Sequence, residues 1–475
     1  MIESDLAIVG AGPAGLAAAA EALARGLSVT LLDDNPAPGG QYFRQAPAAL
    51  QRAAEPSDRE HRRAEAFFRA VEHPRLRLLA DTVVWDAPEP DVLAFAGRAD
   101  SGRVRAAAII VATGAVERAV PFPGWTLPGV LTAGGVQNLI KSQRILPGRR
   151  FLVAGNGPLL LVAAHSILRT GGTVVEVVES AAPSRPWRHL PRLLAAPGVL
   201  RRGLGYRAVL LRAGVPLRAG ETIVEARGRD AVTEAVVAPI DAAGRIDRAR
   251  ARVVTVDTVV AGFGLTPSIE LTRLLGCRHR WDARRGGFVP ERSEDLETTV
   301  RDVFAVGDGA GIGGAEVALA EGRLAGRLVA SRFGLGDDRQ VAPRLRSLRA
   351  RVARLHGVRD AIAQMWAPPA TFLDLLTPET VVCRCEDVAA SEVAGALDEG
   401  VESLDVLKAV TRATMGRCQG RNCLGTVTAM LARARGSRPE ALEPPRARPP
   451  ARAIPLEALL QEPLPPPRVP EMPLP

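Results

Sequence analysis

The sequence predicts an α/β protein in which two nucleotide-type βαβ folds follow one another and a small, mostly helical cysteine-bearing module closes the chain. Three observations predict it. Residues 5–34, DLAIVGAGPAGLAAAAEALARGLSVTLLDD, read as apolar strand, glycine turn, Ala-rich helix and second apolar strand ending in acid. Residues 150–179, RFLVAGNGPLLLVAAHSILRTGGTVVEVVE, repeat that pattern, and four of the five cysteines crowd into 383–423. A chain of 475 residues exceeds one ordinary core, so several domains are expected.

Composition excludes other classes. Apolar content of 47% with 46 glycines and 4% aromatics fits a globular protein and not a fibrous or disordered one. The net charge of +9 comes from arginines spread without a block, since only Lys141 and Lys408 are lysines, which argues against a nucleic-acid surface. The surplus reads as an arginine bias on a solvated surface, with some arginines serving anionic cofactors. No signal peptide precedes Leu6 and no apolar run approaches 18 residues, so a cytoplasmic protein without a transmembrane segment is expected.

Gly10, Gly12 and Gly15 form G-x-G-x-x-G between a strand and a helix that starts near Pro13 and Ala14. Bare glycines let the backbone touch a pyrophosphate, and the unpaired N–H groups of the helix start face its charge. Asp33 or Asp34, about 20 residues on, suits an adenosine ribose. Gly40 and Gln41 lie in PAPGGQ; Ala112, Thr113 and Gly114 end the run 107–114; Gly307 and Asp308 end the run 301–308. Such runs, like 257–264, fit parallel strands reaching the carboxyl edge of a sheet. Together these features resemble the two-dinucleotide flavoprotein reductases, with their two Rossmann-like domains. The resemblance covers about 1–335 and implies FAD in the first domain, with Gly307 and Asp308 at its ribityl and phosphate portion.

Gly155 and Gly157 repeat the turn in the second unit, but Leu160 stands where a small third residue is usual. Glu179 favours NAD over NADP, since a carboxylate accepts from a free 2′-hydroxyl. NAD, another adenine nucleotide and a bare scaffold remain open there. Disulfide reductases of this architecture need a redox cysteine pair, and residues 1–276 hold no cysteine. Cys277 reads as a buried small apolar residue.

Cys383 and Cys385, then Cys418 and Cys423, bring four thiols into one short module. Four thiolates suit a [2Fe–2S] cluster or a structural zinc, and the C-x-C spacing is tighter than zinc pairs usually use. The helical pattern after Asn422 puts Cys423 at a helix N-terminus; Arg384, Arg417 and Arg421 add charge nearby, and amides around Gly416 and Gly420 are candidate donors to sulfur. VVCRCEDV and KAVTRATMGRCQGRNC resemble the bacterioferritin-associated-ferredoxin-type [2Fe–2S] module found in the flavoprotein subunits of heteromeric amine and imino-acid dehydrogenases, the group of the opine oxidase A-type, hydroxyproline dehydrogenase alpha and sarcosine oxidase alpha chains. GAVERAVPFPGWTLPGVLTAGGVQ at 114–137 resembles the same group.

The resemblance implies an electron-relay subunit that works with a catalytic flavoprotein beta subunit plus a small ferredoxin-like one, the substrate being an amino acid, imino acid or opine oxidised on the partner. The six histidines fall in no paired constellation, in keeping with that role. The alternatives are a self-sufficient NADH-dependent reductase and a scaffold subunit. The expected division is 1–122 with 285–335 for FAD, 123–284 for the second nucleotide fold, 336–377 for a helical connector, 378–435 for the cluster module and 436–475 for a Pro-rich tail, surface-hugging or disordered.

Overall fold

The apolar run Leu6–Val9 is the buried end of strand Ile2–Val9, the centre of the first sheet. The protein is seen in a computed structural model that describes residues 1–50, 59–98, 100–181, 189, 197–334, 338–367 and 370–460. In the first sheet Leu76–Leu79, Val29–Leu32, Ile2–Val9 and Ser101–Val111 lie parallel in that order. Ser101–Val111 is long enough to carry two neighbours in succession on its other edge: antiparallel Val92–Gly97 at its start, which pairs in turn with Thr82–Glu89, and parallel Val303–Ala305 at its end. Val9 and Ala305 both register with Val111, so Gly10, Ala112 and Val306 leave the sheet at one edge.

Helix Pro13–Leu23 packs on that sheet beside Ala315–Arg332. Their approach is close because Gly322 and Gly326 face the Ala14 and Ala18 carbonyls, where any Cβ would collide.

The second sheet runs Leu217–Ala219, Thr173–Glu179, Arg150–Gly155, Thr258–Gly262, Val130–Thr132, all parallel. Its central strand alternates as a strand must: Phe151 and Val153 face helices Ala133–Gln143 and Leu159–Arg169, while Leu152 and Ala154 face an antiparallel sheet of Glu221–Arg227, Glu234–Pro239 and Arg252–Thr255. The two folds are joined by an antiparallel pair, Ala115–Glu117 with Leu265–Pro267.

The Arg-rich stretch forms helix Asp338–Met365, whose Leu345 and Val352 enter the core of the first fold. Behind it come the short pair Val381–Cys383 and Val388–Ala389 and helices Ala390–Asp398, Leu404–Thr411 and Leu424–Ala434, around a core of Val382, Val393, Leu407 and Leu431. The start of the Pro-rich tail is packed: Leu442 joins the module core, and the buried Ala451 donates its N–H to the Trp85 carbonyl at 2.8 Å. Residues 461–475 of that tail lie outside the described residues. Among the described residues no helix is long and apolar enough to cross a membrane.

Candidate functional site

The strand ends at Gly10, Ala112 and Val306 open into one cleft, and the glycines there are needed for close approach. Gly10 has φ +105° and lies against the Ala112 carbonyl; Gly15 lies against the Gly10 carbonyl. Gly40, with φ +57°, sits so near Gly12 that a Cβ would be 2.8 Å from its Cα. A Cβ on Gly307 would meet Ala14 at 3.0 Å, and one on Gly309 would meet Thr113 Oγ1 at 2.9 Å. The glycine turn, Pro13–Gly15, Gly40, Ala112–Gly114 and Gly307–Asp308 therefore share one cradle, bare of side chains at the helix start. That is the form a dinucleotide needs, and FAD fits it. Gln41 stands at its exposed rim, bonded to Arg44 at 3.1 Å.

The two aspartates separate. Asp33 is buried; its carboxylate accepts from the Ala11 amide and from Asn35 N and Nδ2 at 2.8 and 2.9 Å, and burial pushes its pKa up. Asp34 is exposed, 3.9 Å from Arg452. Asp308 accepts the Gly313 and Gly314 amides on Oδ1, both at 2.8 Å, and burial raises its pKa as well.

Sequence reasoning missed what holds Gly307 in place. Glu321, fully buried, accepts from Gly307 N at 2.7 Å, from Arg292 at 2.7 and 3.0 Å, and pairs with His356 Nε2 at 2.7 Å. Burial opposes its charge, but Arg292 and His356 outweigh that and hold its pKa down at about 2. Partners 29 and 35 residues away leave no local signal.

In the second fold Gly155, at φ +147°, lies against the Gly262 carbonyl. Leu160 is accommodated because Gly262 has no side chain, a Cβ there lying 2.9 Å from Leu160 Cδ2. Glu179 accepts from Gly157 N and Ala181 N at 3.0 Å each, and burial pushes it up to about 7.

The four module thiols converge as two pairs, Cys383 with Cys423 and Cys385 with Cys418. All five cysteines are free, and among the described residues no three His, Cys, Asp or Glu side chains are placed for a single metal ion. Two facing pairs suit two irons, each taking two thiolates, better than one tetrahedral zinc. Cys423 stands at the N-terminus of helix Leu424–Ala434, as expected, without a side-chain cap bond. The bond from Cys423 draws Cys383 down to about 5, helped by the amides of Thr414, Glu386 and Cys385, and Cys423 is pushed well up in return.

The amides of Thr414, Glu386 and Cys385 favour the Cys383 thiolate, and that of Cys418, between Gly416 and Gly420, does so for Cys385. Gly416 serves approach, since a Cβ would lie 2.6 Å from Cys385 Cβ. Thr414 has φ +71°, costly for a β-branched residue, and its N–H serves both Cys383 and Cys423. Two of the three arginines expected to add charge are engaged elsewhere: Arg384 stacks 5.0 Å over Trp125, and Arg421 pairs with Glu270 at 2.8 Å, leaving Arg417 exposed. Cys277 is buried, 3.3 Å from Thr298 Oγ1.

A dinucleotide cradle, a second nucleotide fold and a four-thiol module define a flavoprotein oxidoreductase with an iron–sulfur module. The chain belongs to the pyridine nucleotide-disulphide oxidoreductase family, matched over residues 4–322, and carries a BFD-like [2Fe-2S] binding domain at 381–433. It is 36% identical to the HcnB subunit of hydrogen cyanide synthase from Pseudomonas aeruginosa, over 90% of this chain and 93% of that protein. It is 32% identical to the A-type subunit of opine oxidase from Agrobacterium tumefaciens, over 90% and 85%. The alpha subunit of sarcosine oxidase from Rhizobium meliloti matches at 24% identity, over 92% of this chain but only 40% of that longer protein. Among solved structures, L-proline dehydrogenase from P. horikoshii superposes with a TM-score of 0.68 at 19% identity, covering 96% of this chain and 79% of that one, a likeness of fold.

Proposed function

We propose that the chain is the electron-relay subunit, carrying FAD and a [2Fe–2S] cluster, of a heteromeric dehydrogenase or oxidase acting on CH–NH donors, namely amino acids, imino acids or opines. The substrate is oxidised on a partner flavoprotein subunit, and a small ferredoxin-like subunit completes the assembly. The flavin supplies two-electron and one-electron exchange and the cluster one-electron exchange.

One observation carries the reading. The wall of the first cleft and the thiol module lie on the two sides of three consecutive residues. Ser268 accepts from Thr113 Oγ1 at 2.8 Å, Ile269 is part of the module core, and Glu270 pairs with Arg421, between Cys418 and Cys423. From Ser268 to Glu270 the backbone spans at most about 7 Å. The chain's own residues hold the two sites at fixed separation. Histidine geometry agrees: His356 serves Glu321, and His279 bonds Thr272 at 2.9 Å, so both support structure. The three relatives described above are named as subunits, which supports a partner, and the free cysteines support a reducing, cytoplasmic setting.

The test is anaerobic absorption spectroscopy of the chain alone and with its flavoprotein partner. Bleaching by proline, hydroxyproline, sarcosine or an opine only when the partner is present is the expected result. Bleaching of the isolated chain by NADH would make it a reductase in its own right.

A further inference from the structure

The loop that brings Cys418 and Cys423 to the other two thiols holds a side chain whose bonding is incomplete. Thr414 is 4% exposed, and its Oγ1 is buried without a hydrogen-bond partner. A buried hydroxyl left unbonded is costly, and native interiors rarely keep one. The module supplies its own comparison. Among the described residues its other buried threonines are satisfied within the protein: Thr428 Oγ1 donates to the Leu424 carbonyl at 2.7 Å, and Thr380 Oγ1 accepts from the Thr377 amide at 2.9 Å.

The backbone at this residue is a second, independent cost. At φ +71° a β-branched side chain is strained, whereas glycine would take the same turn freely. The turn is closed by backbone groups alone, Met415 N bonding the Arg412 carbonyl at 2.9 Å and Gln419 N the Gly416 carbonyl at 2.7 Å. Strained residues that persist gather at functional places. Nor does packing explain the hydroxyl. The Thr414 Cβ and Cγ2 lie 3.1 and 3.5 Å from where a Gly420 Cβ would be, a contact that valine would make equally well.

That contact also places Thr414 among the ligands. It sets the side chain against the turn between Cys418 and Cys423, and two residues on Gly416 lies against Cys385. The Thr414 amide favours the thiolates of Cys383 and Cys423, both buried. The chain around Thr414 thus borders the segments of all four thiols. Yet no cysteine sulfur accepts its hydroxyl. A [2Fe–2S] group brings two sulfides among four thiolates, and a sulfide has lone pairs to accept with and no proton to give.

We propose that the Thr414 hydroxyl donates a hydrogen bond to a bridging sulfide of the cluster and so raises the cluster's reduction potential. The inference rests on the cluster assignment and adds to it a residue that is not a ligand. Such a bond stabilises the reduced, more negative cluster more than the oxidised one.

The test is the midpoint potential of the cluster in the full chain with flavin bound, read from the electron paramagnetic resonance of the reduced cluster, with iron and sulfide measured on every sample. T414V keeps the shape and the contact with Gly420 and removes only the donor. It is expected to keep its iron and sulfide while its one-electron equilibrium moves about tenfold toward the oxidised cluster, a potential lower by about 59 mV. T414S restores a hydroxyl and is expected to return toward the wild-type potential, which a merely structural role would not produce. T414A serves if T414V takes up no iron. A loaded T414V or T414A at the wild-type potential, or a T414S shifted as far as T414V, overturns the proposal. Wild-type chain without iron and sulfide would overturn the cluster assignment and this inference with it, so the two failures are distinguishable.

Discussion

Glu321→Gln removes one negative charge from a site where nothing can replace it. The side chains of Glu321 and Arg292 are 1% and 5% exposed, so the arginine left behind has no access to solvent. Two routes give the magnitude. The pKa held at about 2 against an ordinary 4.5 corresponds to about 3 kcal/mol, at about 1.4 kcal/mol per unit. Breaking a buried ion pair by removing one partner costs about 3–5 kcal/mol, which agrees.

The sign follows from the direction of the shift. A depressed carboxyl stabilises the fold fully above its unfolded pKa near 4.5 and loses that stabilisation as pH falls toward about 2. Denaturant unfolding followed by flavin release should separate wild type from E321Q by about 3 kcal/mol at pH 7, with the gap narrowing below about pH 4.5. E321Q should also hold less FAD, because Gly307 loses the carboxylate that fixes its N–H. A gap that is absent at pH 7, or that stays constant down to about pH 2, would refute the reasoning.

Cys418→Ser should remove the cluster's absorption and iron while flavin stays bound; a full complement of iron would sink the ligand assignment. Gly416→Ala drives a Cβ to 2.6 Å from Cys385 Cβ and should lower iron and sulfide content, again with flavin unchanged, as metal analysis would read. Thr414→Gly should keep the cluster, since the N–H that serves Cys383 and Cys423 remains and a residue at φ +71° is relieved; loss of iron would assign the role to the side chain. Trp125→Phe removes the 2.7 Å bond from Nε1 to the Val381 carbonyl, a loss of about 1 kcal/mol, and should speed proteolytic release of the cluster module.

The first cleft was legible because its chemistry is written in the backbone. A glycine that must sit at φ +105° beside a carbonyl has to be glycine, and its spacing from the next strand is local. The strand ends at Ala112 and Gly307 were legible for the same reason, each marked by a glycine after an apolar run. What holds them was not. Glu321, Arg292 and His356 come from a helix, a loop and the connector, and nothing near any of them in sequence points to the others. The choice between Asp33 and Asp34 needed the register that buries the first and exposes the second. Thr414 escaped notice because threonine gives no sign of a left-handed backbone.

The arginine surplus, legible only as a bias, does work that lysine could not. Arg292 holds Glu321 with two parallel bonds, and Arg252 bridges Glu176 and Glu221 at 2.8 and 2.6 Å, tying the parallel sheet to the antiparallel one. Arg384 lays its plane over Trp125, beside the bond from that indole to Val381. A lysine at 384 would carry the charge without the plane, and one at 292 would satisfy one carboxylate oxygen where two need partners. These joints connect elements far apart in sequence, and Arg421 with Glu270 lies at the residues that separate cleft from thiols. A fixed arrangement of distant elements needs side chains that bond in one orientation, as Arg292 and Arg252 do.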